Sequence, residues 1–261
     1  MIVFAGPTLA GQQDAGLDRF DLRGPVRQGD VYLAALDRPS AIGIIDGYFE
    51  GVPSVWHKEI LWAMSQGIAV LGAASMGALR AAELDTFGMI GIGAIYEAYR
   101  NGVFEDDDEV ALVHGPEELG FLALSVAMVN VRATCTAAAQ CGLISGQHAN
   151  ILVDCAKTQF YKTRTWDSIL EDADRKQVPQ ELLTEFRNWI DDNEVDQKRD
   201  DALLLLERMA HGDFTAPPPD YHFEQTDLWV RTTDQWRQAQ RQDPVQESGG
   251  YRILGSIETL R

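Results

Sequence analysis

The sequence predicts an α/β protein: a mostly parallel sheet with flanking helices, followed by a helical subdomain. Three observations carry this prediction. Short runs at 2–5, 42–45 and 68–71 are apolar on both faces and end in turn residues, the pattern of buried parallel strands. The stretch 53–66 between the second and third runs is amphipathic, which makes a strand–helix–strand unit with a right-handed crossover. From about residue 117 to 210 the pattern is helix after helix.

Taken in order, Ile2-Val3-Phe4-Ala5 is a first strand that Gly6-Pro7 ends. It lacks a cationic start, so it is read as a strand and not as a leader. The helix over 53–66 begins at Pro53-Ser54 and puts Val55, Ile60, Leu61 and Met64 on one face. The third strand, Ile68-Ala69-Val70-Leu71, runs through Gly72-Ala73-Ala74 into a helix carrying Leu79, Ala82 and Glu83. A helix over 91–101 and a strand over 109–113 are expected next. Helices then fit 117–140, 145–160, 165–173, 179–191 and 197–210. Order weakens from His211 to the prolines 217–219. The stretch 220–261 reads as an extension that packs through Trp229 and Trp236. The division is therefore 1–116 (α/β core), 117–211 (helical subdomain) and 212–261 (C-terminal extension).

Of the 261 residues 45% are hydrophobic, enough for a substantial core. Acidic residues outnumber basic ones 40 to 22, a formal charge of −18. That field repels phosphate backbones and anionic headgroups, so neither nucleic acid nor a membrane is expected as a partner. No apolar run reaches the ~18 residues of a membrane span. Cys135, Cys141 and Cys155 are odd in number and form no CxxC, which fits a reducing cytoplasm and offers neither a disulfide framework nor a zinc site.

The chemistry concentrates at Gly72-Ala73-Ala74-Ser75-Met76-Gly77-Ala78. Small residues crowd one hydroxyl at a strand-to-helix turn, as in a nucleophile elbow, although Ala73 stands where G-x-S-x-G has its first glycine. Small neighbours let a substrate approach, and first-turn N–H groups at Met76 and Gly77 are placed for an oxyanion. The alternative is that Ser75 caps the following helix. A serine nucleophile needs a base. Lys58, on the helix before the serine's strand, is the leading candidate, provided burial or a nearby cation lowers its pKa. The competing reading is a solvated helix lysine. His57 and His114 are further candidate bases, with Asp46 to orient one of them. Arg80 could bind a substrate carboxylate or pair with Glu83 or Asp85. The run Glu105-Asp106-Asp107-Asp108-Glu109 reads as a solvated loop or, less simply, a dock for a basic tail, and it lacks the spacing of a calcium loop. No metal or cofactor is called for.

With these residues laid out, the chain resembles the TfuA family. The matching segments are Val3 to Pro7, Asp46-Gly47-Tyr48-Phe49, Val55 to Leu61 and Gly72 to Leu84, with Asp106 to Ala111 and His114-Gly115-Pro116. They cover about the first half of the chain. The resemblance implies a partner of YcaO enzymes in peptide backbone thioamidation. In that role the protein would hydrolyse the thiocarboxylated C-terminus of a ThiS-like sulfur carrier and release sulfide. It also implies a Ser-Lys pair, which falls on Ser75 and Lys58, with Gly72 and Ala74 shaping room for a thin Gly-Gly tail. A non-catalytic adaptor and an ordinary serine hydrolase are the competing readings.

Overall fold

Three apolar strands, β1 (Ile2–Phe4), β3 (Ala41–Ile44) and β4 (Ala69–Ala73), form the centre of a parallel sheet, and every residue in them is buried. The computed structural model describes residues 1–12, 16–215 and 219–242. Two short edge strands, β2 (Asp21–Arg23) and β5 (Ile90–Ile92), complete the order β2-β1-β3-β4-β5. The register sets Ile2 beside Ile42, Ile44 beside Gly72 and Leu71 beside Ile90. The α/β class and the parallel sheet are as the sequence predicts.

Helices α1 (Asp30–Leu36), α2 (His57–Ser65) and α3 (Met76–Leu84) pack their apolar residues against Ile2, Phe4, Ile42, Ile44 and Val70. The intervening residues Val3, Ala5, Ile45 and Leu71 face the other way, toward Ala202, Leu205, Leu206 and Met209 of α9 (Gln197–His211). A strand's side chains alternate between faces, so both faces are filled. Helix α9, grouped by the sequence reading with 117–211, thus lies on the sheet. Gly43 permits it: a Cβ there would stand 2.7 Å from the Met209 sulfur. Helix α1 has no capping side chain of its own. The buried Glu59 carboxylate of α2 accepts N–H bonds from Gly29, Val31 and Tyr32 instead.

Several expected elements differ. The segment 91–101 is β5 followed by α4 (Ala94–Arg100), with Gly93 at φ +95° turning the chain between them. The expected strand over 109–113 is a 3-10 turn, Asp107–Glu109, and then extended chain. Only a 3-10 turn (Glu117–Leu119) and a hairpin-like bridge between His114 and Ala123 occupy the start of the expected helix over 117–140. Gly120 in the left-handed region ends that turn, and α5 begins at Met128. Strand β2 and helix α1 were not foreseen.

Helices α5 (Met128–Gln140), α6 (Gly146–Lys157), α7 (Trp166–Arg175) and α8 (Gln180–Asn193) enclose a second core around Val131, Cys135, Leu152, Ile169 and Phe186. The acidic run fastens this unit to the sheet. Lys157 binds Asp106, Asp108 and Glu109; Arg132 binds Glu109; buried Arg164 binds Asp108. Three of the five carboxylates are therefore internal ion pairs, and neither the solvated loop nor the basic-tail dock describes them. Helix α10 (Asp227–Gln242) lays buried Trp229 and half-buried Trp236 against Tyr32, at centroid distances of 5.5 and 5.7 Å. Residues 216–218 and 243–261 of the expected linker and extension lie outside the described residues. Among the described residues no helix is long and apolar enough to cross a membrane.

Candidate active site

In this strand order the chain leaves β1 toward β2 and returns past it to β3, so the carboxyl ends of β1 and β3 diverge and leave a crevice. Asp46, just beyond β3, stitches that crevice. Its buried carboxylate accepts the Gly6 N–H (2.9 Å), the Thr8 N–H (3.0 Å) and the Thr8 hydroxyl (2.6 Å). Beside it is a cavity of about 340 Å³ lined by Pro7, Asp46, Tyr48, Ser75, His114 and Lys198, among others.

Ser75 reaches the cavity through a strained turn. Its N–H donates to the Ala73 carbonyl at 2.8 Å, and Ala74 between them sits at φ +65°. A three-residue turn with positive φ on a non-glycine residue costs about 1–3 kcal/mol and tends to occur where a side chain must be presented. Ser75 occupies the cap position of α3, yet its hydroxyl caps nothing. The hydroxyl is therefore free to face the cavity. Tight packing holds the turn: a Cβ on Gly77 would stand 1.8 Å from the Ile44 oxygen, and one on Gly72 would stand 2.1 Å from the Gly77 oxygen.

The same packing removes one expected oxyanion donor, because the Gly77 N–H donates to the Ile45 carbonyl at 3.2 Å. Among the described residues the Met76 N–H has no main-chain acceptor, and neither has that of Gly47 on the cavity wall. Gly47 packs so closely on Met76 that a Cβ there would stand 2.8 Å from the Met76 side chain. The Met76 N–H, directly after the serine as in hydrolase elbows, and the Gly47 N–H are therefore the main-chain donors left without a main-chain acceptor in these two neighbouring residues.

Two lysines line this cavity: Lys162, exposed and paired with Glu50, and the buried Lys198, on the first turn of α9. Lys198 is 2 % exposed, donates to the Val110 carbonyl at 3.0 Å and lies 3.8 Å from Asp46 Oδ1. Burial lowers its pKa, against the opposing pull of Asp46 and Asp196. Asp46 stands beyond hydrogen-bond length and already accepts three bonds, so it compensates an ammonium poorly. The result is an amine held toward its neutral, basic form.

Residues 46–165 match the TfuA family, described as TfuA-like protein. That stretch belongs to the TfuA family. With the family comes its general setting, peptide thioamidation alongside YcaO enzymes. No curated protein matches the chain.

The TfuA-like stretch contains Asp46, Lys58, Ser75 and His114, and Lys198 follows it in α9. Lys58 does not line the Ser75 cavity. Its ammonium bonds Thr226 at 3.3 Å and lies over the rings of Phe223 and Trp229, at 5.4 and 5.9 Å, so it fastens the C-terminal segment to α2. Side chains one residue apart on a helix point about 100° from each other, and His57 is also away from the cavity. It bonds Glu83 at 2.8 Å. Arg80 bonds the same Glu83 and the Val55 carbonyl, which is the ion-pair reading of that residue. His114 does line the cavity, with its Nδ1 on the Gly115 carbonyl. Asp46 is occupied by Gly6 and Thr8 and orients no histidine, so no Ser-His-Asp arrangement forms.

Lys198, beyond the TfuA-like stretch, was the cavity residue sequence reasoning missed. Its signal was there: 198, 202, 205 and 209 share one helical face, and the last three are Ala, Leu and Met. A lysine on the apolar stripe of a helix is placed for burial.

Proposed function

We propose that this protein hydrolyses the thiocarboxylated C-terminus of a small ThiS-like sulfur carrier, with Ser75 as nucleophile and Lys198, in place of Lys58, as base. The sulfide so released would serve a YcaO partner's thioamidation. One observation carries the reading: a hydroxyl that caps nothing and a buried amine share a single cavity at the sheet's crevice.

Neutral Lys198 takes the Ser75 proton as the oxygen attacks the tail's terminal carbonyl carbon. The N–H groups of Met76 and Gly47 hold the developing oxyanion. The C–S bond then breaks, Lys198 returns its proton to the departing sulfur, and hydrosulfide leaves. Water, activated by the again-neutral Lys198, hydrolyses the serine ester and yields the carrier carboxylate. The strand ends supply the fixed geometry, and burial lowers the pKa of the amine, which favours its role as base.

The test is sulfide release from a thiocarboxylated ThiS-like carrier by the wild type, Ser75→Ala and Lys198→Met. Release by the wild type and its loss in both variants is expected. Full release by Ser75→Ala would sink the mechanism, and no release by the wild type with a YcaO partner present would favour the adaptor.

A further inference from the structure

One wall of the Ser75 cavity is extended main chain, residues 112–114. It is one arm of a short antiparallel pairing with a single bridge. The Leu124 N–H donates to the Val113 carbonyl and the Gly115 N–H to the Leu122 carbonyl, both at 2.8 Å, bracketing the antiparallel bridge of His114 with Ala123. The Ser125 hydroxyl accepts the Val113 N–H at 2.8 Å. In such a pairing the main-chain groups of successive residues point to opposite sides. Those of Val113 face the hairpin. Those of Leu112 and His114 face away from it, and among the described residues none of them has a main-chain partner. Both residues are half-buried and both line the cavity. A short strand edge therefore stands open beside the serine, and open edges accept an added strand.

We propose that this edge binds the carrier's extended C-terminal tail as an added β-strand, its main chain pairing with Leu112 and His114 so that its last carbonyl meets Ser75. The inference rests on the hydrolase reading for the identity of the tail. The ligand class is a peptide C-terminus recognised through its own N–H and C=O groups, which suits residues without side chains. Pairing through the main chain also fixes direction and depth, because sliding the tail by one residue would turn its hydrogen-bonding groups away from the edge.

The experiment replaces single amides of the tail by esters, which removes one N–H at a time, in semisynthetic thiocarboxylated carriers. Affinity for the full-length Ser75→Ala protein is measured, so that binding is read without chemistry. Alternation is expected. An ester at the amide facing the edge weakens binding roughly tenfold, equivalent to about 1.4 kcal/mol, and an ester at the next amide changes it little. Equal affinity across the ester series, or no binding of any carrier, would overturn the proposal. Binding that alternates as expected, together with no sulfide release by the wild type, would overturn the hydrolase and leave the edge standing.

Discussion

Lys198 Nζ and Asp46 Oδ1 lie 3.8 Å apart with both residues 2 % exposed, and the carboxylate's three short bonds all go elsewhere, to Gly6 and Thr8. The negative charge still favours the ammonium form, while burial opposes it more strongly. In the proposed mechanism the pair therefore sets the pH range in which Lys198 can act as base. Asp46→Asn removes the charge, so the lysine should lose its proton more easily. The rising limb of the kcat/KM–pH profile for sulfide release should move to lower pH. A limb that stays in place or moves upward would show that Lys198 is not the titrating base.

The two lysines are separable. Lys198→Met keeps an unbranched chain in the buried site and should lower sulfide release by about 10²–10⁴, the usual contribution of a general base. Lys58→Met should leave release near the wild-type rate and loosen the C-terminal segment, seen as faster proteolysis between residues 211 and 227. The reverse pattern would return the base to Lys58.

Gly77→Ala tests the packing beneath the serine. A methyl there stands 1.8 Å from a backbone oxygen, which no rotamer can relieve. A loss of about 1–3 kcal/mol in denaturant unfolding is expected from overpacking, together with lost sulfide release as the elbow shifts. Wild-type stability would mean that β3 and α3 are not so close in solution.

The acidic run gives an acid-stability test. Burial raises the carboxyls of Asp108 and Glu109, but Arg164, Arg132 and Lys157 outweigh it and hold both below their ordinary values. A depressed carboxyl stabilises the fold above its unfolded pKa, and that contribution is lost as pH falls through the folded one. Stability should thus decline below about pH 4.5 as these groups protonate. Glu109→Gln should be less stable at pH 7 and show a shallower acid decline in urea unfolding followed by circular dichroism. An unchanged slope would contradict the ion-pair assignment.

The legible parts of the sequence were those where local pattern and tertiary fate agree. Ile42 to Ile45 and Ala69 to Leu71 are apolar on both faces and became central strands. The small residues around Ser75 announced a tight turn, and that turn presents the hydroxyl to the cavity. Asp21-Leu22-Arg23 is three residues long, polar and on an edge, so nothing in it spelled strand until β1 was there to pair with. Gly91 and Ile92 of β5 were absorbed into the helix expected over 91–101. Lys198 sits in Asp196-Gln197-Lys198-Arg199-Asp200-Asp201, which by composition is a solvated helix start. Only the return of α9 onto the sheet buries it. Lys58 looked apt because a helix preceding a strand packs beside it, but its side chain points to α10.

Because α9 closes over a sheet built far earlier in the chain, the hydroxyl and the amine are made at different times. A polypeptide still emerging from the ribosome, or one cleaved between α8 and α9, holds Ser75 without Lys198. On the proposed mechanism the pair comes into being only once α9 is in place, and a thiocarboxylate meeting a chain without it would find a serine with no base.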